Sequence, residues 1–194
     1  GATLIPPDEL KEELKQFIGS ELTLSELRRA ALRISDAYRR KGFFARALIP
    51  EQRIQNGVVE IAVLEGRLSA VEVEPLPGVR ISPDQARRFI EAKQRIGEPL
   101  YPERVQNGLR NLNDVPGVAA TGVLQPGAAG GDVKLNLRLD ATPLLTASAY
   151  LDNYGLKSTG QARAIGYAQL NSPAGYGDQA TLLGVATSRS DYLR

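Results

Sequence analysis

A chain of 194 residues, 42% of them hydrophobic, has room for one large domain or two of ordinary size around a real core. Its 24 basic and 22 acidic residues nearly cancel, which leaves no electrostatic footprint for nucleic acid. Cysteine and histidine are both absent, so disulfides, zinc sites built on Cys or His, and Ser-His-Asp or Cys-His catalysis are excluded together. Carboxylates, lysines and tyrosines alone remain for acid-base work. No run of 18 apolar residues occurs, so no transmembrane helix is expected, and Gly1-Ala2-Thr3-Leu4 does not read as a signal peptide.

Pro6-Pro7-Asp8-Glu9 leads into a predicted helix that carries Leu10, Leu14, Phe17 and Ile18 on one stripe and stops at Gly19. Thr23-Leu24-Ser25-Glu26 then spells a capping box for a second helix, with Leu22 and Leu27 placed as a hydrophobic staple. Leu24, Leu27, Ala31, Ile34 and Tyr38 form its apolar side, while Arg28, Arg29 and Arg33 read as a solvated face in preference to a docking patch for an acidic partner. Tyr38 reads as a core residue with its hydroxyl at the rim.

A hairpin follows the helix. One strand runs to Pro50, and the return strand runs from Val58 to Leu64, with Val59, Ile61 and Val63 on the face built for burial. Asn56-Gly57 sets the turn, because both residues tolerate the positive φ that a tight hairpin demands.

Leu68–Glu74 alternates as a strand, and Ser82-Pro83-Asp84-Gln85 repeats the capping chemistry ahead of a helix expected to end near residue 96. Pro102 opens another helix with Val105, Leu109 and Leu112 inward, and Gly108 weakens it by about 1 kcal/mol relative to alanine. Two strands, Val118–Leu124 and Val133–Leu139, close the unit around the loop Gln125–Gly131. Residues 4–64 thus read helix, helix, strand, strand, and residues 68–139 read strand, helix, helix, strand, strand.

The wording of the first unit resembles the POTRA domain of two-partner secretion transporters, the outer-membrane pores that export haemolysins and filamentous adhesins. The resemblance rests on Tyr38-x-x-Lys41-Gly42-Phe43, Ile49-Pro50-Glu51-Gln52, Asn56-Gly57 and Leu64-Glu65-Gly66-Arg67-Leu68 in that order. The second unit has the POTRA order of elements, and Asn113-Asp114-Val115-Pro116-Gly117-Val118 is similar to the second-POTRA wording of that family. The first unit lacks the opening strand that the resemblance implies ahead of Gly1, which points to a fragment or an altered edge.

Past Pro143 charge falls and small residues rise. Leu145, Ala147, Ala149 and Leu151 alternate with Thr146, Ser148, Tyr150 and Asp152, and Ala162–Leu170 and Gln179–Thr187 make two further strands of about nine residues, the length of membrane-barrel staves. In those two the lipid-facing side is not legible. Leu151-Asp152-Asn153-Tyr154-Gly155 with Thr159-Gly160, and Leu170-Asn171-Ser172-Pro173-Ala174-Gly175-Tyr176-Gly177-Asp178, resemble the opening hairpins of the same family's barrel. A closed bacterial barrel needs at least about eight strands. The three seen here, with a fourth starting at Asp191–Arg194, point to the N-terminal piece of a longer transporter.

The expected fold class is therefore α+β: two tandem POTRA domains, residues 1–67 and 68–142, then the first antiparallel strands of a transmembrane β-barrel in 143–194. The resemblance implies an outer-membrane monomer with POTRA domains in the periplasm, lipid around the barrel, the unfolded secretion domain of an exoprotein as partner, and no nucleic acid, cofactor, metal or catalytic residue. Clients would pair with exposed sheet edges. The candidate edge residues are Phe44, Arg46 and Leu48 in the first unit and Ala119, Thr121 and Val123 in the second. Two readings compete: a POTRA-bearing factor that assembles outer-membrane proteins, and a soluble carboxylate enzyme pairing Glu60 or Glu65 with Asp114, for which the spacing offers no facing carboxyls.

Overall fold

The computed structural model describes residues 2–156, 158 and 160–188. Helix α1 (Pro7–Leu14) passes into a short 3-10 turn at Lys15–Phe17, and α2 (Leu24–Arg40) follows. The capping box of α2 forms in full: the Thr23 hydroxyl accepts from Glu26 N at 3.3 Å, and the Glu26 carboxylate accepts from Thr23 N at 2.8 Å. At the other end Gly42 N donates to Arg39 O (2.9 Å) and Phe43 N to Tyr38 O (3.0 Å), a Schellman closure that turns the chain into the hairpin.

Strands β1 (Ala45–Leu48) and β2 (Ala62–Glu65) pair antiparallel, with Asn56 and Gly57 at φ of 52° and 70° between them. The return strand is shorter than the alternation of residues 58–64 suggests. Its first half is held by a side chain in place of a strand: the Gln52 amide donates to Glu60 O (2.8 Å) and accepts from Glu60 N (2.7 Å). Ile5, Leu10, Ile34, Ala37, Tyr38 and Val63 form the core of this unit. Leu24 and Ile18, read from periodicity as inward-facing, are instead exposed, Leu24 on the wall of an open groove beside Leu48.

In the second unit β3 (Arg67–Pro75), α3 (Pro83–Glu91), α4 (Pro102–Asn113), β4 (Val118–Pro126) and β5 (Asp132–Ala141) follow in order. The sheet order is β3-β5-β4, with β3 parallel and β4 antiparallel to the central β5. In β5, Val133, Leu135, Leu137 and Leu139 alternate inward as the sequence predicts and are buried in one core with Ile90, Val105 and Leu112 of the helices and Leu100 between them. Helix α3 ends at Glu91, well before residue 96, because the buried Gln94 amide bends the chain; it donates to Arg95 O and Pro99 O and accepts from Tyr101 N. Gly108, which weakens α4 in isolation, lets α4 press on α3: a Cβ there would lie 3.0 Å from Ile90 Cα.

Strands β6 (Leu145–Asp152), β7 (Arg163–Asn171) and β8 (Gln179–Thr187) form a separate antiparallel sheet. Its register sorts the residues into two faces. Leu145 aligns with Leu170 and Ala180, Ala147 with Ala168 and Leu182, Ala149 with Gly166 and Gly184, and Leu151 with Ala164 and Ala186, so one face is apolar or small throughout. The other face is mixed: Thr146, Gln169 and Thr181 make one row and Asp152, Arg163 and Thr187 another, with the Arg163 guanidinium paired to Asp152 at 2.8 Å, while the rows between them, Ser148, Tyr167 and Leu183 and Tyr150, Ile165 and Val185, are largely apolar. Thr159 and the strand expected from Asp191 lie outside the described residues. No helix of the described residues is long and apolar enough to cross a membrane, which says nothing about strands.

Truncating Leu137 to alanine, in the middle of β5 and fully buried, is expected to destabilise the second unit by about 2–5 kcal/mol, read from the urea midpoint of the variant against the native chain.

Candidate functional site

Each helix-backed sheet has two edge strands, β1 and β2 in the first unit and β3 and β4 in the second, and the residues named from the sequence lie on β1 and β4. In an antiparallel ladder successive residues turn their N–H and C=O alternately toward the partner and away from it. Ala120 N donates to the Asn113 side-chain oxygen (2.7 Å) and Ala120 O accepts from its amide (3.0 Å), so Ala120 faces outward. By alternation Gly122 and Leu124 face outward too, while Ala119, Thr121 and Val123 spend their backbone groups on Asp140, Arg138 and Asn136 of β5.

In the first unit Gly66 N donates to Phe44 O (2.7 Å) and Ala47 N to the Ser35 hydroxyl (3.0 Å). Phe44, Arg46 and Leu48 therefore face β2, and Ala45 and Ala47 face out. Against this edge α2 leaves a groove of about 680 Å³ whose walls include Leu24, Arg28, Leu32, Leu48 and Ile54. Leu24, Leu32 and Ile54 are each close to 60% exposed, which makes the groove an apolar surface open to solvent.

The six edge residues named from the sequence thus fall in two classes. Arg46 and Leu48 line the groove, and Phe44 and Arg46 line a second cavity of about 260 Å³ where the two units meet. Ala119, Thr121 and Val123 form an exposed row along β4, apart from both. The residues missed are Leu32 and Ile54 in the groove and the amide of Asn113 that closes off part of the β4 edge. A signal for the first was present: Leu24, Arg28 and Leu32 recur at i, i+4 and i+8, one stripe of α2 distinct from Ala31, Ile34 and Tyr38. Of the three arginines read as a solvated face, Arg28 lines the groove and Arg29 lies 3.9 Å from Glu26.

The motif residues Tyr38, Glu65 and Gly66 have structural tasks. Glu65 accepts hydrogen bonds from Thr3 N, Leu4 N and the Tyr38 hydroxyl, each at 2.7 Å, and from the Thr3 hydroxyl, so its carboxylate ties residues 3–4 to the sheet. Burial pushes the Glu65 carboxyl up, but those donors outweigh it and hold the group below the usual carboxylate range. Burial and then the hydrogen bond to Glu65 push the Tyr38 hydroxyl up. Gly66 sits where a Cβ would lie 2.7 Å from Phe44 O, and Leu100 N donates to Gly66 O at 2.8 Å. Phe44 N in turn donates to Leu100 O (2.9 Å), and Phe43 packs on Tyr101 with ring centroids 4.9 Å apart, so the junction between units is hydrogen-bonded and stacked.

The turn between β7 and β8 is seated on the second unit. Ser172 is fully buried, Arg80 Nη1 donates to Ser172 O at 3.4 Å, and Gly177 lies so near Val115 that a Cβ would be 2.6 Å from its methyl. The turn's own shape is held by Asp178, which accepts from Ala174 N and Tyr176 N, and by Gly177 N donating to the Ser172 hydroxyl. The two phrases Asn113–Val118 and Asn171–Asp178 therefore meet in space.

Residues 1–66 match the family described as POTRA domain, ShlB-type. Over 176 residues the chain is 29% identical to the heme/hemopexin transporter protein HuxB of Haemophilus influenzae, covering 90% of this chain and 31% of that protein. It is 29% identical to the outer membrane transporter CdiB of Dickeya dadantii over 75% of this chain and 25% of that one. CdiB from Escherichia coli superposes with a TM-score of 0.74 at 26% identity, covering 97% of this chain and 34% of that structure. The chain spans a quarter to a third of the length of the curated relatives it matches.

Because the native Glu65 value is lowered, its tether of residues 3–4 is intact above the ordinary glutamate range of about 4.3 and is lost as pH falls through the lowered value. The protection of the Thr3 and Leu4 amides, measured as exchange relative to the unstructured-chain rate at each pH, is expected to fall on acidification below about pH 4 and to lose that pH dependence in Glu65→Gln, while β5 amides stay protected.

Proposed function

We propose, from the premise that residues 1–66 are a ShlB-type POTRA domain in a chain related along nearly its whole length to outer-membrane transporters, that this protein belongs to a two-partner secretion transporter of the bacterial outer membrane. In this reading residues 1–67 and 68–142 are two POTRA domains in the periplasm, and 143–194 are the first strands of the barrel. The uniformly apolar face Leu145, Ala147, Ala149 and Leu151 with its aligned partners on β7 and β8 meets lipid, and the face with Thr146, Gln169 and Arg163 meets the lumen. The transporter acts as a monomer, and its partner is the unfolded secretion domain of one exoprotein.

The observation that carries the reading is the sequence of two open edges followed at once by a sheet with one apolar face. An unfolded client arrives with its backbone groups unpaired. Adding it as a strand to β1 or β4 satisfies them without requiring one client sequence, and the apolar walls of the α2 groove accept alternate side chains. The groups that would bond the client are the N–H and C=O of Ala45, Gly122 and Leu124, with Phe44, Arg46, Leu48, Ala119, Thr121 and Val123 supplying the side chains beside them.

Leu124→Pro removes an outward N–H and leaves the β4–β5 ladder bonds in place, so the variant is expected to fold yet to lower export of the exoprotein at least about tenfold, measured in culture medium from cells carrying the full-length transporter. Leu124→Ala controls for lost packing, and native-level export by the proline variant would remove edge pairing as the mechanism. Capture of many barrel precursors, in place of one large exoprotein, by the immobilised chain would move the assignment to membrane-protein assembly.

A further inference from the structure

The outward backbone groups of β4 are not equivalent to one another. Thr142 N donates to Gly117 O (3.3 Å) and Gly127 N to Asp132 O (2.8 Å), so at both ends of the strand the odd-numbered residues turn toward β5 and the even-numbered ones, Ala120, Gly122, Leu124 and Pro126, turn away. Ala120 is engaged on both groups by the Asn113 side chain, its N–H donating to Oδ1 at 2.7 Å and its C=O accepting from Nδ2 at 3.0 Å. Pro126 has no N–H to offer. Among the described residues nothing takes the outward groups of Gly122 or Leu124.

The other edge of this sheet is closed in a different way. Leu68 N donates to Glu98 O (3.2 Å), Leu68 O accepts from Gly97 N (2.7 Å) and Arg87 Nε donates to Val71 O (3.3 Å), so the chain itself and a guanidinium cover the first part of β3. On β4 one side chain does this, at one residue. Asn113 is the last residue of α4, and its Nδ2 also donates to Leu109 O at 3.0 Å. A strand that paired with Ala120 would gain two main-chain bonds and break the three that Asn113 makes, so extension past Gly122 brings no net hydrogen bond.

We propose that Asn113 is a stop that sets the register of client addition to β4: an extended segment bonds to Gly122 and Leu124 and ends its main-chain pairing where Asn113 occupies Ala120. The proposal rests on the edge-pairing reading above and adds to it the position and length of the paired stretch. An antiparallel segment uses all four free groups with three consecutive residues, the outer two of which bond. The ligand is therefore a short extended piece of unfolded polypeptide, recognised through its backbone.

The test uses the whole chain, isotope-labelled in detergent micelles, with fluorescein-labelled peptides of five and nine alternating Thr and Val residues flanked by lysine. Without peptide, the Ala120 amide is expected to exchange at least about tenfold more slowly than those of Gly122 and Leu124. Either peptide is expected to slow Gly122 and Leu124 about tenfold and to leave the Asn113 side-chain amide unchanged, and the two are expected to bind within about twofold of each other by fluorescence anisotropy. In Asn113→Ala, folded by circular dichroism, the nine-residue peptide is expected to bind about tenfold more tightly than the five-residue one, a gain lost again when Ala120→Pro is added. The exchange pattern of the native chain keeps the test valid should Asn113→Ala unfold. Faster exchange of the Asn113 side-chain amide on peptide binding, or the same length dependence in the native chain and Asn113→Ala, would overturn the stop while protection of Gly122 and Leu124 leaves edge pairing standing. If neither peptide protects Gly122 and Leu124, both fall.

Discussion

A sheet edge must dispose of its unpaired N–H and C=O groups, and the first two units of this chain are shaped by how they do so. The Asn113 amide occupies both backbone groups of Ala120, and the Ser35 hydroxyl takes the N–H of Ala47. Side chains thus imitate a strand at chosen residues and stop short of the rest. Among the described residues, side chains cap neither Gly122 nor Leu124 of β4 in this way.

The same principle explains the motif residues of the first unit. Pro50-x-Gln52 supplies the amide that extends a four-residue strand, Tyr38 and Glu65 gather residues 3–4 onto the sheet, and Gly66 is small because Phe44 O and Leu100 N both approach it. None of these residues needs to touch a client to matter. Each sets where the open edge begins and how one unit meets the next.

Much of the fold was legible from the chain because its signals are local. Capping boxes at Thr23 and Ser82, the turn at Asn56-Gly57 and the alternation of Val133–Leu139 each follow from residues within one turn or one strand, and each formed as read. The shortened return strand and the early end of α3 were not legible, since both depend on where a glutamine side chain reaches across the fold. The apolar side of β7 and β8 emerged only from register with β6. Of the candidate site, the strands were legible, but not which of their residues direct backbone groups outward. That parity hangs on Asn113 and Ser35, far from the strands in any pattern of hydrophobicity.

The seat of the β7–β8 turn on the second unit carries a mechanical meaning. Ser172 is wedged beneath Arg80, and Gly177 abuts Val115, just ahead of the residue where β4 begins. The connection between the second unit and the sheet of β6, β7 and β8 is therefore clamped on one side. A force on β4 passes through Val115 and Arg80 into the turn, and from there along β7 and β8, as torque at the rim of that sheet.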